Sequence, residues 1–399
     1  MKVAINAVSA KMGGAVTYLR NVLHCLPPAE SGHVFMVFLP PETAEGLGTL
    51  ASNIRLIPTR IGHANFWKRV WWEQVTLRHQ IRKLDANVLF STANFGMFYC
   101  PARQVLLLRI ALYFSRIYLG TFLPRHSLKF RSSFALRRWL CRQSARWADV
   151  VMTPTQAMMD EVCAYVAVPA PKRLVNHYGV AQPRAADKVH IGRHEKHGMV
   201  RLLYISLYAE HKNLQILLKA LPLLNRGAGP GFVLTTTVSP EWHQAQWTVT
   251  YKQDLALARD PEIRRWVNFV GPLGSQGISE LYEHSDVFIF PALTESFGHP
   301  MAEAMAYGVP IVAADTPVNR EICGEAAVYF SPLVSCALAE AIHSVALDDA
   351  LRERLTREGQ RRVRENFCWD EHVRRFLHAV QGDVRTVGEV ARDVAVARS

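Results

Sequence analysis

Residues 291–312 read PALTESFGHPMAEAMAYGVPIV, and this stretch decides how the second half of the chain folds. It follows an apolar run, Val287 to Phe290, that predicts a strand, and it passes through Gly298 into a helical pattern. Pro300 falls at or near the first helical position, where a missing amide hydrogen costs little. The stretch therefore predicts a strand, a loop and a helix, the unit from which parallel α/β sheets are built.

The same alternation of short apolar runs and helical patterns extends outward over most of the chain. Predicted strands of the first half are KVAINAV, HVFMVFL, NIRLIP, ANVLFST, QVLLL and DVVMTPT, with helices at 15–26, 66–82, 134–148 and 156–165. Predicted strands of the second half are VRLLYIS, FVLTTTV, VNFVG, DVFIFP, VPIVAAD and AAVYFSP. Helices are expected from Lys212, around 250–258, from Ser275, from Pro300, and at 351–366 and 369–380. Several strands are apolar at consecutive positions, as in sheets covered on both faces. We therefore predict an α/β protein with two doubly wound sheets.

The length of 399 residues favours two domains, because single cores rarely grow beyond about 300 residues. The polar stretch AQPRAADKVHIGRHEKHG at 181–198 is the expected linker. We predict an N-terminal domain at 1–185, a C-terminal domain at 195–368, and at 369–399 a helix that packs back toward the N-terminal domain, followed by a tail. Two such domains can present the carboxyl ends of their strands to a common interdomain cleft.

Two carboxylates flank the predicted loop and helix start. Glu295 lies in the loop, and Glu303 lies on the first turns of the helix. A helix N-terminus offers backbone N–H groups and a positive dipole end, which suit a diphosphate. Carboxylates accept hydrogen bonds from sugar and ribose hydroxyls. The alternative is that both glutamates are simply solvated.

Glu295, seven intervening residues and Glu303, set in ESFGHPMAEAMAYGVPIVAAD, resemble the signature of glycosyltransferase family 4, retaining enzymes with the two-domain GT-B fold. The similarity extends over most of the chain. It includes the Gly13-Gly14 loop, ADVVMTPTQ, His211-Lys212-Asn213, FVGPLG and Arg320-Glu321. The resemblance implies two Rossmann-like doubly wound domains that face an interdomain cleft, with the acceptor on the N-terminal side and the nucleotide sugar on the C-terminal side.

The resemblance also implies roles for particular residues. Lys212 would neutralise the donor diphosphate, and Glu295 would hold the transferred sugar; these are the expected catalytic residues. The expected donor-binding residues are Gly13, Gly14, Phe297, Gly298, His299, Pro300 and Glu303, with Glu303 on the ribose. For Gly13 and Gly14 the alternative is an ordinary turn, and for Lys212 it is an exposed lysine.

The chain departs from the family pattern at two places. Many members carry Gly-Arg shortly before the lysine, where this chain has Ser206-Leu207, so Arg201, Arg320 or another basic residue would have to supply the charge. Many also carry an acceptor-side histidine where QVLLLRIALYF has Arg109 and Ile110. We assign no catalytic histidine: His177 is expected to be structural, and His299 either contacts the donor or caps the helix.

By family analogy we expect a retaining hexosyltransferase that uses a UDP- or GDP-linked sugar, with mannose a candidate. The expected acceptor is a glycan or a lipid-linked glycan, in bacterial polysaccharide or lipopolysaccharide biosynthesis. No metal is expected, because the sequence has no Asp-x-Asp at a strand end and Lys212 with the helix dipole can replace a cation. No cofactor is expected, since the nucleotide sugar is a substrate. Two rivals remain, a degenerate sugar-binding scaffold at a membrane and a nucleotide-sugar 2-epimerase. A Rossmann dehydrogenase is excluded, because KMGGAV lacks Gly-x-Gly-x-x-Gly.

The net charge of +12 is concentrated between residues 101 and 147, which carry ten basic residues and no acidic one. These are Arg103, Arg109, Arg116, Arg125, Lys129, Arg131, Arg137, Arg138, Arg142 and Arg146. Aromatic and aliphatic residues are interleaved at 112–122. Either this block, Arg103 to Arg146, contacts an anionic membrane, or it is a solvated basic helix over a core strand. Nucleic acid is not an expected partner, since no binding motif accompanies the charge.

The remaining composition indicates an intracellular protein. No secretory leader is recognised at the N-terminus, and arginines interrupt the most apolar stretch, 105–123. The seven cysteines are scattered without zinc-ligand spacing, so reduced thiols are expected. We predict a cytoplasmic location, either free or peripheral on the inner face of the cell membrane.

Overall fold

The computed structural model describes residues 1–11, 13–181, 198–227, 229–238 and 248–382. The predicted linker at 181–198 and the tail at 381–399 lie almost wholly outside the described residues. Contacts between Cα atoms divide the chain into two units. The first comprises Met1–Phe114, Ser132–Gly179 and the residues from Cys368 onward, and the second comprises Ser115–Arg131 and Val180–Phe367.

The first unit is built on a parallel sheet of seven strands. They are β1 (Lys2–Asn6), β2 (Val34–Leu39), β3 (Ile54–Pro58), β4 (Val88–Ser91), β5 (Arg103–Leu107), β6 (Val150–Thr153) and β7 (Arg173–Val175). Their order is β3-β2-β1-β4-β5-β6-β7, with Val3 paired to Phe35 on one side and to Val88 on the other. The strand order therefore reverses between β1 and β4, which is where ligands bind in sheets of this kind.

Seven helices accompany this sheet in the described residues. They are α1 (Gly14–His24), α2 (Pro41–Glu45), α3 (Phe66–Gln74), α4 (Thr76–Lys83), α5 (Leu128–Trp147), α6 (Gln156–Cys163) and α15 (Trp369–Gln381). The single helix predicted at 66–82 is in fact two, because Val75 has φ −113° and ψ −67° and interrupts the regular turns. The helix predicted from 134 begins earlier, at Leu128.

The second unit repeats the plan with six parallel strands. They are β8 (Val200–Tyr204), β9 (Phe232–Thr236), β10 (Val267–Phe269), β11 (Val287–Phe290), β12 (Ile311–Ala314) and β13 (Ala327–Phe330), in the order β10-β9-β8-β11-β12-β13. Its helices are α7 (Leu214–Leu224), α8 (Tyr251–Arg259), α9 (Pro261–Arg264), α10 (Ser275–Glu283), α11 (His299–Ala306), α12 (Pro317–Cys323), α13 (Ser335–Leu347) and α14 (Asp349–Asn366). The strand order reverses between β8 and β11, where Leu202 pairs with Val287.

Both sheets are covered on their two faces, which explains why their strands are apolar at consecutive positions. In β11 all four residues, Val287 to Phe290, are buried. In the second unit Leu202, Leu217 and Ile342 belong to one large apolar core. The predicted α/β fold with two doubly wound sheets is confirmed.

Helix α15, although last among the described elements, packs within the first unit. The Tyr18 hydroxyl lies 3.0 Å from Nε2 of His372, and Nδ1 of His372 lies 2.9 Å from the carbonyl oxygen of His177. Since a carbonyl can only accept, Nδ1 carries the proton and Tyr18 donates to Nε2. Burial lowers the pKa of His372 to about 4, so the ring stays neutral. His177 thus contributes a structural carbonyl.

The aromatic side chains in the stretch after β5 are less exposed than a membrane-facing surface requires. All four aromatic residues of the stretch 112–122, which a membrane-facing surface would expose, are buried: Tyr113, Phe114, Tyr118 and Phe122. Short helical turns at Ala111–Tyr113 and Tyr118–Phe122 turn them inward. The interpretation of these four as surface residues is therefore wrong. Within the described residues, no helix has both the length and the apolar character needed to cross a bilayer.

Candidate functional site

The reversal of strand order in the second unit brings two predicted site residues together. Lys212 lies in the turn Glu210–Lys212 that follows β8, and Glu295 lies in the loop between β11 and α11. Because β8 and β11 are neighbours, their carboxyl ends meet. The Lys212 ammonium forms a salt bridge with Oε1 of Glu295, and both side chains are only partly exposed. The pairing of β8 with β11 thus brings Lys212 and Glu295, which are distant in sequence, into contact.

Backbone and side-chain bonds hold the Lys212 turn in place. The amide of Leu293 donates to the carbonyl of His211 at 2.8 Å, which joins the two loops directly. The Tyr204 hydroxyl donates to the carbonyl of Lys212 at 3.0 Å. Asn213 takes the left-handed conformation, with φ 56°, and its amide donates to Pro332 at 2.9 Å. Helix α7 therefore begins at Leu214. The predicted start at Lys212 is wrong, because Lys212 belongs to the separate turn Glu210–Lys212.

His211 is a buried neutral neighbour of Lys212. Burial, together with the positive charge of Lys212, lowers the pKa of the His211 imidazole to about 3. Its ring meets the ring of Tyr118 edge-on, with centroids 6.3 Å apart. The His211 imidazole is therefore neutral at neutral pH and adds no charge beside Lys212.

Segment Ser115–Arg131 contacts both of these loops, although its contacts span 84 residues of chain to the first loop and 179 to the second. The Ser115 and Thr294 hydroxyls lie 2.7 Å apart, next to Glu295. His126 Nε2 lies 2.7 Å from Oε1 of Glu210, two residues before Lys212, and both side chains are almost fully buried. A buried, hydrogen-bonded pair is costly to break, so this segment braces the site. Sequence reasoning missed it, because nothing local in 115–131 indicates these partners.

The loop that carries Glu295 enters α11 through Gly298. This glycine has φ 82° and ψ 58°, and a Cβ there would lie 2.5 Å from Cε of Met301. Only glycine fits such a position without strain. Helix α11 begins at His299, one residue before the predicted start at Pro300, and its first turn contains that proline. Phe297 is buried, with its ring 5.1 Å from the His299 ring, so its side chain supports the loop from inside.

Glu303 lies on the second turn of α11 and has a separate partner. The Tyr282 hydroxyl donates to Oε2 of Glu303 at 3.0 Å. Burial raises the pKa of the Glu303 carboxyl, and the bond from Tyr282 opposes that effect. The two signature carboxylates are therefore different groups electrostatically: one is held by a cation and the other by a phenol.

The arginines proposed to replace the missing Gly-Arg pair already have carboxylate partners. Arg201 binds Asp286 through two nitrogens, at 3.1 and 2.8 Å. Arg320 binds Asp315 at 2.5 and 2.8 Å. At the Gly-Arg position, Ser206 exchanges hydrogen bonds with Thr237 instead. Lys212 is thus the cation that this site offers directly beside Glu295.

Gly13 and Gly14 lie in the first unit, at the N-terminus of α1. Gly13 has φ 58° and ψ −145°, and no side chain caps the helix. Arg109, which follows β5, approaches this turn: its Nη2 lies 3.8 Å from where a Cβ of Gly14 would be. Its guanidinium also lies over the Tyr18 ring at 5.6 Å, and its amide donates to Asn94 at 2.7 Å. The residue that replaces the expected histidine is therefore a cation beside the glycine turn.

A buried carboxylate occupies the end of β1 in the same unit. Glu73, on α3, accepts a hydrogen bond from the Asn6 amide at 3.2 Å, and burial raises the pKa of Glu73 to about 7. No local pattern indicates this carboxylate, because its burial depends on the packing of α3. Among the described residues, no cluster of three or more His, Cys, Asp or Glu side chains is arranged to hold a metal ion.

Comparison with known proteins supplies the family. The profile described as Glycosyl transferases group 1 matches residues 192–362, and the one described as Glycosyltransferase Family 4 matches residues 12–181. Glycogen synthase of Mycobacterium tuberculosis is 29% identical over 245 residues, which are 60% of this chain and 54% of that protein. O-antigen chain mannosyltransferase B of Escherichia coli is 26% identical over 178 residues, 44% of each chain. This chain thus spans about half the length of these two relatives.

Solved structures show the same architecture. Sucrose-phosphate synthase from Thermosynechococcus elongatus superposes with a TM-score of 0.71 at 16% identity, covering 99% of both chains. Anabaena Alr3699/HepE in complex with UDP-glucose gives 0.68 at 17% identity, covering 96% of this chain and 100% of that one. These likenesses show the fold, which is GT-B. With the two profiles together matching more than half of its length, the chain belongs to the glycosyltransferases of family 4, group 1.

Proposed function

We propose that the chain transfers a hexose from a UDP- or GDP-linked donor to a glycan or lipid-linked acceptor, with retention at the anomeric carbon. The observation that carries the proposal is the Lys212–Glu295 pair at the strand-order reversal, followed directly by the N-terminus of α11. A cation, a carboxylate and a helix dipole at one place suit a sugar joined to a diphosphate.

Lys212 stabilises the departing nucleotide diphosphate in this proposal. An ammonium has three donors, so Lys212 can hold Glu295 with one and phosphate oxygens with the others. The α11 N-terminus, from Gly298 to Pro300, adds its dipole to the same negative charge. Because lysine and the helix supply this charge stabilisation, we propose that transfer needs no divalent metal and no cofactor.

Glu295 and Glu303 bind different parts of the donor in this proposal. Glu295, held beside Lys212, accepts hydrogen bonds from hydroxyls of the transferred sugar, and Glu303 accepts them from the ribose. His299 and the backbone around Phe297 line the approach to the sugar. In the first unit, Gly13 and Gly14 leave the α1 N-terminus without a side chain, so that donor or acceptor can approach the backbone.

The reaction follows from these contacts without a dedicated side-chain base. The bond between the anomeric carbon and the diphosphate oxygen breaks, and the acceptor oxygen bonds to the same face of that carbon. The proton of the acceptor hydroxyl passes to the departing phosphate oxygen, whose charge Lys212 stabilises. Retention rests on the family, in which it is the expected outcome.

The acceptor class is supported by the relatives rather than by the site. One relative is named an O-antigen chain mannosyltransferase, and one solved structure of the same fold is titled as a glycosyltransferase of lipopolysaccharide biosynthesis. Another solved structure of this fold was determined with UDP-glucose. We therefore propose a polysaccharide or lipid-linked glycan as acceptor, and mannose or glucose as the first sugars to test.

Nucleotide release from a panel of UDP-, GDP- and ADP-sugars, with a chelator present, tests the proposal. We expect release from one donor when acceptor glycans are supplied, and its loss in Glu303→Ala. Glu280→Ala, on the neighbouring helix α10, is the matched control. Donor binding without release under any acceptor mixture would instead identify a sugar-binding scaffold, and release of a free epimerised sugar would identify an epimerase.

A further inference from the structure

The first unit carries an unusual set of exposed aromatic side chains. They are between 44% and 69% exposed: Trp67, Trp71, Tyr99, Trp139 and Trp147. All four tryptophans that are exposed among the described residues lie in this unit. Large aromatic residues are normally mostly buried, and a cluster left in water marks an interaction surface.

Contacts show that α3 and α5 share this surface. Trp67 and Trp71 are one turn apart on α3, and the Phe66 ring lies 5.1 Å from the ring of Trp67. The Arg137 guanidinium, on α5, lies over that same Phe66 ring at 4.9 Å. The Phe66 ring thus contacts both Trp67 and Arg137, so α3 and α5 adjoin on this surface.

The loop after β4 joins the same surface. The Tyr99 and Trp147 rings have centroids 4.2 Å apart, which links this loop to the end of α5. The Gln74 amide, at the end of α3, donates to the carbonyl of Gly96 at 3.0 Å, and its oxygen accepts from Phe98 at 2.9 Å. We call the surface formed by α3, α4, the loop 96–100 and residues 132–147 the aromatic-basic face.

The charge of this face has one sign. Residues 132–147 contain four arginines and no acidic residue. Residues 66–83 contain five lysines and arginines and a single acid, Glu73, which is buried. Exposed basic side chains thus flank the exposed tryptophans without acidic neighbours on these segments. The complementary partner is negatively charged and offers an apolar layer beneath its charge.

We propose that the aromatic-basic face binds the surface of an anionic lipid bilayer, with the tryptophans at the head-group level. Tryptophan favours this position because its ring is apolar and its N–H remains hydrated. Lysine and arginine beside it are attracted to anionic head groups. This differs from the expectation of a membrane contact through the aromatics at 112–122, all four of which are buried. The inference does not depend on the proposed transferase reaction.

Vesicle co-sedimentation of the full chain tests the apolar part, with no sugar nucleotide present. We expect binding to phosphatidylcholine vesicles that contain phosphatidylglycerol, and a loss of about tenfold or more in Trp67→Ala/Trp71→Ala, since each tryptophan contributes buried area at the interface. Leu333→Ala, an exposed leucine of the second unit, is the control and should bind normally. Equal binding by the double variant and the parent would overturn the proposal.

Charge reversal tests the electrostatic part. Lys68→Glu/Arg146→Glu should weaken binding to anionic vesicles and reduce its dependence on salt, because fewer cations then meet the head groups. Lys252→Glu, an exposed lysine on α8, should leave both unchanged. Equal affinity of the parent for neutral and anionic vesicles would contradict the proposal. A second outcome would also contradict it: the parent forms a dimer in sedimentation velocity, Trp67→Ala/Trp71→Ala is a monomer, and neither binds vesicles. That result would identify the face as a contact between copies of the chain.

Discussion

The loops that follow the first strand of each sheet are held in different ways. After β1, Gly13 takes a conformation with positive φ, and the nearby cation, Arg109, comes from the end of β5. After β8, the cation Lys212 lies in the loop itself and is paired with Glu295 from the end of β11. Topology decides where each loop lies, since both follow a strand at a reversal of strand order. Residue type decides what the loop offers, an accessible backbone in one case and a charged pair in the other.

One carboxylate in each unit, Glu295 and Glu73, shows the same contrast. Glu295 is paired with an ammonium, whereas Glu73 is bonded to a neutral amide and its nearest cation, Arg69, is 4.0 Å away. Desolvation without a close cation disfavours the charged form. The carboxylate of the second unit therefore has a cation in contact with it, whereas burial raises the pKa of the carboxylate of the first unit to about 7.

The largest effect is expected from removing the charge of the second loop. Lys212→Ala should lower the rate of donor-dependent nucleotide release about 10² to 10³-fold, as the loss of one preorganised donor to a leaving group does elsewhere. Lys219→Ala, an exposed lysine on α7, should retain the parental rate. Full activity in Lys212→Ala would refute the leaving-group role and leave the pair as a structural salt bridge.

Glu73→Gln tests the buried carboxylate of the first unit. The folded state raises the pKa of Glu73 from 4.5 to about 7, so the native protein loses stability as the pH rises between these values. The variant cannot ionise at this position, and its free energy of unfolding should exceed that of the parent by about 3 kcal/mol above pH 7, with little difference below pH 4.5.

Denaturant unfolding across this pH range measures the difference. Glu45→Gln, at an exposed glutamate of α2, is the matched control and should follow the parent. Parallel curves for the parent and Glu73→Gln would show that Glu73 stays ionised, and the contrast with Glu295 would disappear.

Gly298→Ala should destabilise the second loop. The added Cβ would meet Met301 at 2.5 Å and would hold φ 82° against its preference, so we expect a loss of about 2 kcal/mol in unfolding free energy. Gly274→Ala, before α10, has negative φ and no atom within 4 Å of the new Cβ. Thermal unfolding should separate the two variants, and equal melting temperatures would show that α11 relaxes without cost.

The smallest effect is expected in the glycine turn of the first unit. Gly13→Ala should cost about 1 to 2 kcal/mol, because φ 58° with ψ −145° is a glycine conformation, although the new Cβ would meet no atom within 4 Å. Gly14→Ala should change stability little, since its Cβ would make only an ordinary contact with Arg109. A lower rate of nucleotide release in Gly14→Ala, with unchanged stability, would show that the glycine turn takes part in donor binding. Unchanged kinetics would show that Gly14 does not bind the donor.

Local sequence patterns were sufficient to predict the two parallel sheets and the position of the Glu295 loop before α11. These features follow from local patterns: consecutive apolar residues at 287–290, a glycine, and a proline at the helix start. Some predicted helix boundaries differ from those in the structure. The expected helix is interrupted at Val75, where φ −113° and ψ −67° depart from regular helical values. Helix α7 begins only after Asn213, whose side-chain amide donates to the carbonyl of Pro332, far along the chain.

The tertiary structure alone decided which residues stand beside one another. It assigned Ser115–Arg131 to the second unit, set Arg109 beside Gly14, buried Glu73 and left Trp67 exposed. None of these has a local signal, since the burial and partners of a side chain depend on segments that pack against it from elsewhere in the chain. Strand and helix patterns repeat over a few residues, whereas charge pairing and exposure are set by contacts across the whole fold.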